Sequence, residues 1–197
     1  MKLAIIDSGG ANIASVRFAI ERLGVNAELT TDPERVQNAT HVILPGVGTA
    51  ADCMSRLMQN GLVGTIKALK QPLLGICVGM QLLFESSDEG DTACMGMLPG
   101  RVQRFSNRAG LPVPHMGWNK LNVLRPNFLT QGLHANDYVY FVHSYAAPVS
   151  DLTIATTDYG APFSAIVQRG NVYGAQFHPE RSARVGALIL RNFLSVR

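Results

Sequence analysis

The chain opens on a short apolar run, Leu3-Ala4-Ile5-Ile6, that stops at Asp7 and a Gly9-Gly10 turn. Ile13, Val16, Ile20 and Leu23 then recur at spacings of three and four, the period of one helical face, and Gly24 supplies a stop. A strand is predicted near Val25 to Thr30, ending at Asp32-Pro33, and His41-Val42-Ile43-Leu44 reads as a buried strand that stops at Pro45-Gly46. Two helical stretches follow, about Ala51 to Met58 and Leu62 to Leu69. After them come a strand over Pro72 to Ile76 and a helix over Met80 to Phe84.

Strands that alternate with helices imply right-handed crossovers, so this half predicts an α/β fold with a mainly parallel sheet and helices on both faces. The second half reads differently. Trp118 to Leu124, Asp137 to His143, Leu152 to Thr157, Phe163 to Gln168 and Val172 to Phe177 are successive strand candidates separated by turn residues. They are expected as an antiparallel extension in the C-terminal half or as a side sheet, closed by a helix over Ala183 to Leu194. With no repeat, low-complexity tract or linker, residues 1–197 are expected to form a single domain.

Composition narrows the partners. Hydrophobic residues make up 47% of the chain and charged residues 16%, a balance that favours a packed core over a disordered segment. The net charge of +3 comes from 17 Lys and Arg scattered from Lys2 to Arg197, with no basic run to track a phosphate backbone, so nucleic acid is not expected as a partner. The longest apolar stretches, Leu73 to Cys77 and Val185 to Leu190, fall far short of the roughly 18 to 20 residues needed to cross a bilayer. The N-terminus meets Asp7 too early for a signal peptide, and the expected location is cytoplasmic. Three cysteines, Cys53, Cys77 and Cys94, cannot all pair within the chain, and their spacing matches no zinc knuckle. Neither a metal nor a cofactor is expected, and Cys53 and Cys94 read as small buried hydrophobes.

Cys77 differs by its neighbourhood. Gly75-Ile76-Cys77-Val78-Gly79 lies between a buried strand and a helix and matches the Gly-x-nucleophile-x-Gly elbow. A nucleophile on so sharp a turn sits in strained backbone, and flanking glycines remove the Cβ atoms that would clash. The turn also sets the thiol at a helix N-terminus, where the dipole favours thiolate. The bland alternative is a buried cysteine in a glycine-rich turn. Gln176-Phe177-His178-Pro179-Glu180 supplies a base: strand period two would put His178 and Glu180 on one face, with the carboxylate fixing the imidazole tautomer. A histidine at a sheet edge beside a solvated glutamate is the alternative there. Pro45-Gly46-Val47-Gly48 forms another strand-to-loop turn at the same carboxyl edge. Backbone N–H groups at Val47 and Gly48, with that of Val78, could meet a developing oxyanion, unless the segment is a plain turn.

Pro-Gly-Val-Gly (45–48), Gly-Ile-Cys-Val-Gly-Met-Gln (75–81) and Gln-Phe-His-Pro-Glu-Arg-Ser (176–182), in that order, resemble the class I glutamine amidotransferases. Pro114-His115-Met116-Gly117-Trp118-Asn119 and Tyr140-Phe141-Val142-His143-Ser144-Tyr145 resemble the branch of that family that serves histidine biosynthesis. The resemblance implies a flavodoxin-like α/β glutaminase in which Cys77 attacks the glutamine side-chain amide, His178 shuttles the proton and Glu180 orients it. By the same resemblance Gly48, Gln81, Glu89 and the Ser144-Tyr145 backbone bind the glutamine head group, although Glu89 also reads as an exposed acid beside Asp88. It implies, too, an oxyanion strand whose Val47 carbonyl points inward until a partner signals. The partner so implied is a cyclase subunit, in a heterodimer, that makes imidazole glycerol phosphate and the aminoimidazole carboxamide ribonucleotide.

The residues support a partner separately. One α/β domain takes up all 197 residues, so the ammonia acceptor is expected on another chain. His115, Trp118, Asn119 and Arg181 are the interface candidates; Trp118, the lone tryptophan, sits in a Pro-rich and Gly-rich segment and reads either as an exposed anchor or as a core residue. Arg181 stands where many relatives carry Lys, which keeps the charge but not the shape of the contact. Two other readings share the pattern: a glutaminase for anthranilate or pyridoxal phosphate synthesis, against which the 114–119 segment argues, and a non-catalytic scaffold, against which the intact triad argues.

Overall fold

Runs that are apolar without alternation must be covered on both faces, and these runs make the centre of the molecule. The computed structural model describes residues 1–9, 12–46, 48–106 and 110–196. In chain order, the first half comprises β1 (Leu3–Ile6), α1 (Ile13–Glu21), β2 (Ala27–Thr30), α2 (Pro33–Gln37), β3 (His41–Gly46), α3 (Ala50–Gln59), α4 (Leu62–Ala68), β4 (Leu73–Cys77) and α5 (Val78–Gln81). All residues of β1, β3 and β4 are buried. The helices are amphipathic as their spacing predicts: α1 buries Ile13, Val16, Ala19 and Ile20, and α3 buries Ala50, Cys53, Met54 and Leu57. Asp32 and Thr49 cap α2 and α3 by accepting hydrogen bonds from the Glu34 and Asp52 amides.

The second half contributes β5 (Ser86–Ser87), β6 (Thr92–Ala93), β7 (Arg101–Arg104), β8 (His115–Lys120), β9 (Asn122–Val123) and β10 (Tyr138–His143). It continues with β11 (Tyr145–Ala146), β12 (Thr153–Asp158), β13 (Pro162–Arg169), β14 (Val172–Ala175) and α6 (Ala183–Leu194). The main sheet has the order β2-β1-β3-β4-β14-β13-β12-β9. Its first five strands are parallel, in the flavodoxin-like arrangement, and β13, β12 and β9 extend it antiparallel. β8 and β10 form a separate antiparallel pair, and β11, β7, β5 and β6 a small four-stranded layer.

Four expectations need correction. The strand candidate Trp118 to Leu124 is divided between β8, which starts at His115 and pairs with β10, and β9, which joins the main sheet beside β12. β14 is not part of the antiparallel extension: it lies parallel to β4, with Gly174 opposite Gly75. Its six-residue neighbourhood, Val172 to Phe177, is buried throughout, the mark of a central parallel strand. β3 does not stop before Pro45 but carries Pro45 and Gly46 opposite Ile76 and Cys77. Finally, the helix after the elbow is a single turn, Val78–Gln81, because residues 82–84 continue as turns rather than as helix.

Candidate active site

Strand pairing at the carboxyl edge brings the site together. Cys77 ends β4, its register partner Gly46 ends β3, and His178 follows β14 on the other side of β4. Such sheets bind ligands at this edge, near the reversal of strand order between β1 and β3.

Cys77 has φ 54° and ψ −114°, a conformation that costs a non-glycine residue about 1–3 kcal/mol and persists only where its surroundings impose it. The surroundings are the flanking glycines. A Cβ on Gly79 would lie 1.9 Å from the Leu44 carbonyl oxygen, and one on Gly75 would lie 2.7 Å from the Gly79 oxygen. The one-turn helix therefore packs backbone to backbone on β3 and β4. Val78 is its first residue, so its N–H has no acceptor within the helix and is available to an incoming oxygen. A helix of one turn adds little dipole, so the dipole expected at the Cys77 position is weak.

His178 Nδ1 lies 2.7 Å from Glu180 Oε1, and both side chains are buried. The pairing comes from a one-turn 3-10 helix, Pro179–Arg181, and not from strand alternation, since β14 ends at Ala175. The turn is anchored: His178 N–H donates to Tyr140 O at 2.9 Å, and the Ser182 hydroxyl donates to His178 O at 2.7 Å. Burial by itself would lower the His178 imidazole, but hydrogen bonding and charge from Cys77 and Glu180 outweigh it and raise the group to about 10. The imidazolium form of His178 is thus favoured beside Glu180 and Cys77. Cys94, by contrast, is pushed up to about 11 by burial, as a structural thiol should be, and no disulfide joins the three cysteines.

One residue of the site went unnoticed in the sequence. Asn12 Nδ2 lies 3.1 Å from His178 Nδ1 and also donates to Glu180 Oε1. It occupies the N-cap position of α1, where asparagine is routine, yet it makes no cap hydrogen bond. Nothing in the local sequence separates it from an ordinary cap.

A cavity of about 370 Å³ opens on Cys77, lined by Asn12, Ser15, Gly46, Gly48, Val78, Val142, His178 and Arg181. Gly48, at φ +88°, lies on its wall. Val47 lies outside the described residues. Gln81 does not reach the cavity: its Nε2 donates to Tyr145 O at 2.9 Å and to Gln176 Oε1 at 3.0 Å. The Ser144 carbonyl likewise accepts from Phe105 N–H, and Glu89 Oε2 accepts the Ala50 N–H at 2.7 Å, closing the α3 N-terminus beside Gly48. Of the interface candidates, Trp118 and Arg181 are exposed, whereas His115 and Asn119 point inward from β8, with His115 fully buried.

Among the described residues no cluster of His, Cys, Asp and Glu could hold a metal ion, and no helix is long and apolar enough to cross a membrane. The elbow at Cys77 thus stands beside a buried His-Glu pair at the carboxyl edge of the five parallel strands of the main sheet. Residues 4–196 match the family profile described as glutamine amidotransferase class-I. The chain is 55% identical to imidazole glycerol phosphate synthase subunit HisH of Xanthomonas axonopodis pv. citri, over 98% of this chain and 97% of the relative. It is 52% identical to the same subunit of Xylella fastidiosa, over 99% and 98%. The chain belongs to the class-I glutamine amidotransferase family and, within it, to the HisH subunits of imidazole glycerol phosphate synthase. In fold it is similar to a solved glutamine amidotransferase (TM-score 0.76, 19% identity, 98% and 97% of the two chains). It is similar as well to a chain of PurLQS from Thermotoga maritima (TM-score 0.73, 18% identity, 98% and 97%).

Proposed function

We propose that the chain hydrolyses glutamine at Cys77 and passes the ammonia to a cyclase subunit for the synthesis of imidazole glycerol phosphate in histidine biosynthesis. The observation that carries this reading is the strained Cys77 elbow at the mouth of a cavity shared with His178. The Cys77 sulfur attacks the side-chain amide carbon, and a C–S bond forms as the carbonyl π pair moves to oxygen. Val78 N–H is the first donor to that oxygen, and the Gly48 backbone on the cavity wall is the candidate for the second, completed on association with the partner. As the C–N bond breaks, His178 gives its proton to the departing nitrogen and ammonia leaves. A water then loses a proton to His178 and opens the glutamyl thioester, which returns glutamate and the thiol. Glu180 holds the ring by accepting the hydrogen of Nδ1, and Asn12 in turn donates to the Glu180 carboxylate.

The HisH relatives favour this branch over a glutaminase for anthranilate or pyridoxal phosphate synthesis. One domain over residues 1–197 fits the reading, because the main sheet interleaves strands of both halves. A biosynthetic role fits the cytoplasm. Ser144, Tyr145, Gln81 and Glu89 are assigned to the glutamine head group by resemblance, with Gln81 and Tyr145 acting from behind the cavity wall.

Labelling by a glutamine-like electrophile tests the reading. Cys77 should be the site modified, and Cys77→Ala should lose glutamine-dependent synthesis while keeping synthesis from added ammonium salt in the assembled complex. Glutamine turnover near wild type in the alanine variant would sink the assignment.

A further inference from the structure

His115 and His143 face each other as a cross-strand pair on the inward side of β8 and β10. Both are buried among Phe105, Phe141, Tyr159 and Phe163, whose ring centroids lie 4.0–6.3 Å from one or both imidazoles. Neither takes part in the chemistry described above. In such an aromatic cage two polar rings cost more than two phenyl rings unless their nitrogens make directed bonds.

The directions follow from one end. His143 Nδ1 lies 2.8 Å from the Tyr145 carbonyl oxygen, so it carries the hydrogen and its Nε2 is the acceptor. His115 Nδ1, 3.1 Å away, must then donate, which leaves His115 Nε2 to accept from Asn119 Nδ2 at 3.2 Å. Asn119 gives its other hydrogen to Asp158 O at 2.9 Å, and its Oδ1 accepts the Lys120 N–H at 2.8 Å. Burial lowers His115 to about 4 and His143 to about 3, in keeping with two neutral rings.

At the other end the same Tyr145 oxygen accepts from Gln81 Nε2 at 2.9 Å. Gln81 also donates to Gln176 Oε1, and Gln176 Nε2 lies 3.8 Å from the Cys77 sulfur. Every link has one donor and one acceptor from Asn119 to the nucleophile. We propose that His115 and His143 are positioning residues: their buried relay holds the Tyr145 carbonyl, and through Gln81 and Gln176 the Cys77 sulfur, in the geometry that glutamine hydrolysis needs. This rests on the glutaminase reading.

Two substitutions at residue 143 separate positioning from packing. In His143→Asn the amide nitrogen falls where Nδ1 was and keeps the bond to Tyr145 O, but loses His115. In His143→Gln the amide falls near Nε2 and keeps His115 but loses Tyr145 O, although glutamine fills the cage better. Glutamine hydrolysis is measured with the full chain, alone and with the cyclase subunit, alongside thermal unfolding and the rate of Cys77 alkylation. His143→Asn, which loses only the His115 link, should raise KM about threefold, and His143→Gln should raise KM and slow alkylation by about tenfold, the scale of one buried hydrogen bond. The reverse order, or losses that only follow the melting temperature, would make the pair a packing element and overturn the relay. Should both variants fail to fold, His115→Phe keeps the stacking and removes the nitrogens: a KM raised about threefold supports the relay, and an unchanged KM overturns it. Wild type that fails to hydrolyse glutamine at all would instead sink the glutaminase reading, and the relay with it.

Discussion

His178 is held at Nδ1 by the Glu180 carboxylate at 2.7 Å, and Cys77 together with Glu180 raises its pKa. These partners contribute differently to turnover. His178→Asn removes the group that moves the proton and should cost about 10²–10⁴-fold in turnover, whereas Glu180→Gln removes only an orienting group and should cost less. Rates in the reverse order would exchange the roles of base and orienter. The same contacts set a pH dependence of stability. Because the folded imidazole is raised to about 10, its contribution is complete below the unfolded value of about 6.5 and is lost as pH climbs through 10. Thermal melts of Cys77→Ala and Glu180→Gln should therefore fall less steeply than wild type between pH 6.5 and 10; equal slopes would deny the coupling. At this scale the sequence shows Cys77, His178 and Glu180 plainly, because a strained turn demands glycines at fixed offsets and the His-Pro-Glu pair is local. Asn12 stays hidden, since its partners lie 166 and 168 residues away and its position reads as a helix cap.

The elbow is a contact between backbones, and its tolerance to substitution can be foretold from distances. A Cβ at position 79 meets the Leu44 carbonyl, and one at position 46 would lie 2.2 Å from the Gly79 nitrogen, neither of which can swing aside. Gly79→Ala should cost about 1–3 kcal/mol of stability, or about 2–12 °C in melting temperature for a chain of this size, and should slow Cys77 alkylation. Gly64→Ala, in the middle of α4 with no atom within 4 Å of the added Cβ, should leave the melting temperature unchanged or raise it. Matching losses in the two variants would mean that glycine flexibility, not close approach, explains the elbow. The longer elements were readable from periodicity, and α6 from its amphipathic run, whereas α2, β5, β6, β7 and β11 were too short to show a period. The parallel placement of β14 was not, because pairing partners depend on strands about 100 residues apart, although six consecutive buried positions at 172–177 already mark a strand covered on both faces. The interface candidates divided for a similar reason: alternation along β8 sends His115 and Asn119 inward and Met116 and Trp118 outward, which depends on which face of the strand meets the core.

On the whole molecule, the outward face of β8 and β10 is apolar and uncovered. Met116 is 63% exposed, Trp118 53% and Tyr138 49%, and Trp118 lies opposite Tyr140 with ring centroids 6.0 Å apart. The Arg181 guanidinium sits 5.9 Å from the Tyr140 ring centroid and also lines the Cys77 cavity, so this patch runs to the mouth of the site. A cyclase seated here would cover the aromatic patch and the cavity rim together, which is the placement a released ammonia molecule requires. Aromatic residues at the centre of an interface typically contribute about 2 kcal/mol or more, so Trp118→Ala should weaken association about 30-fold. Such binding can raise glutamine turnover only if it favours one arrangement of the site over another. With the second oxyanion donor completed on association, stimulation should reach about 10²-fold, and at fixed partner concentration Trp118→Ala should blunt it. Titration calorimetry gives the affinity, and steady-state glutaminase assays across partner concentration give the stimulation. If Trp118→Ala binds as tightly as wild type, the partner docks elsewhere; full turnover by the chain alone would show that the resting site is already complete.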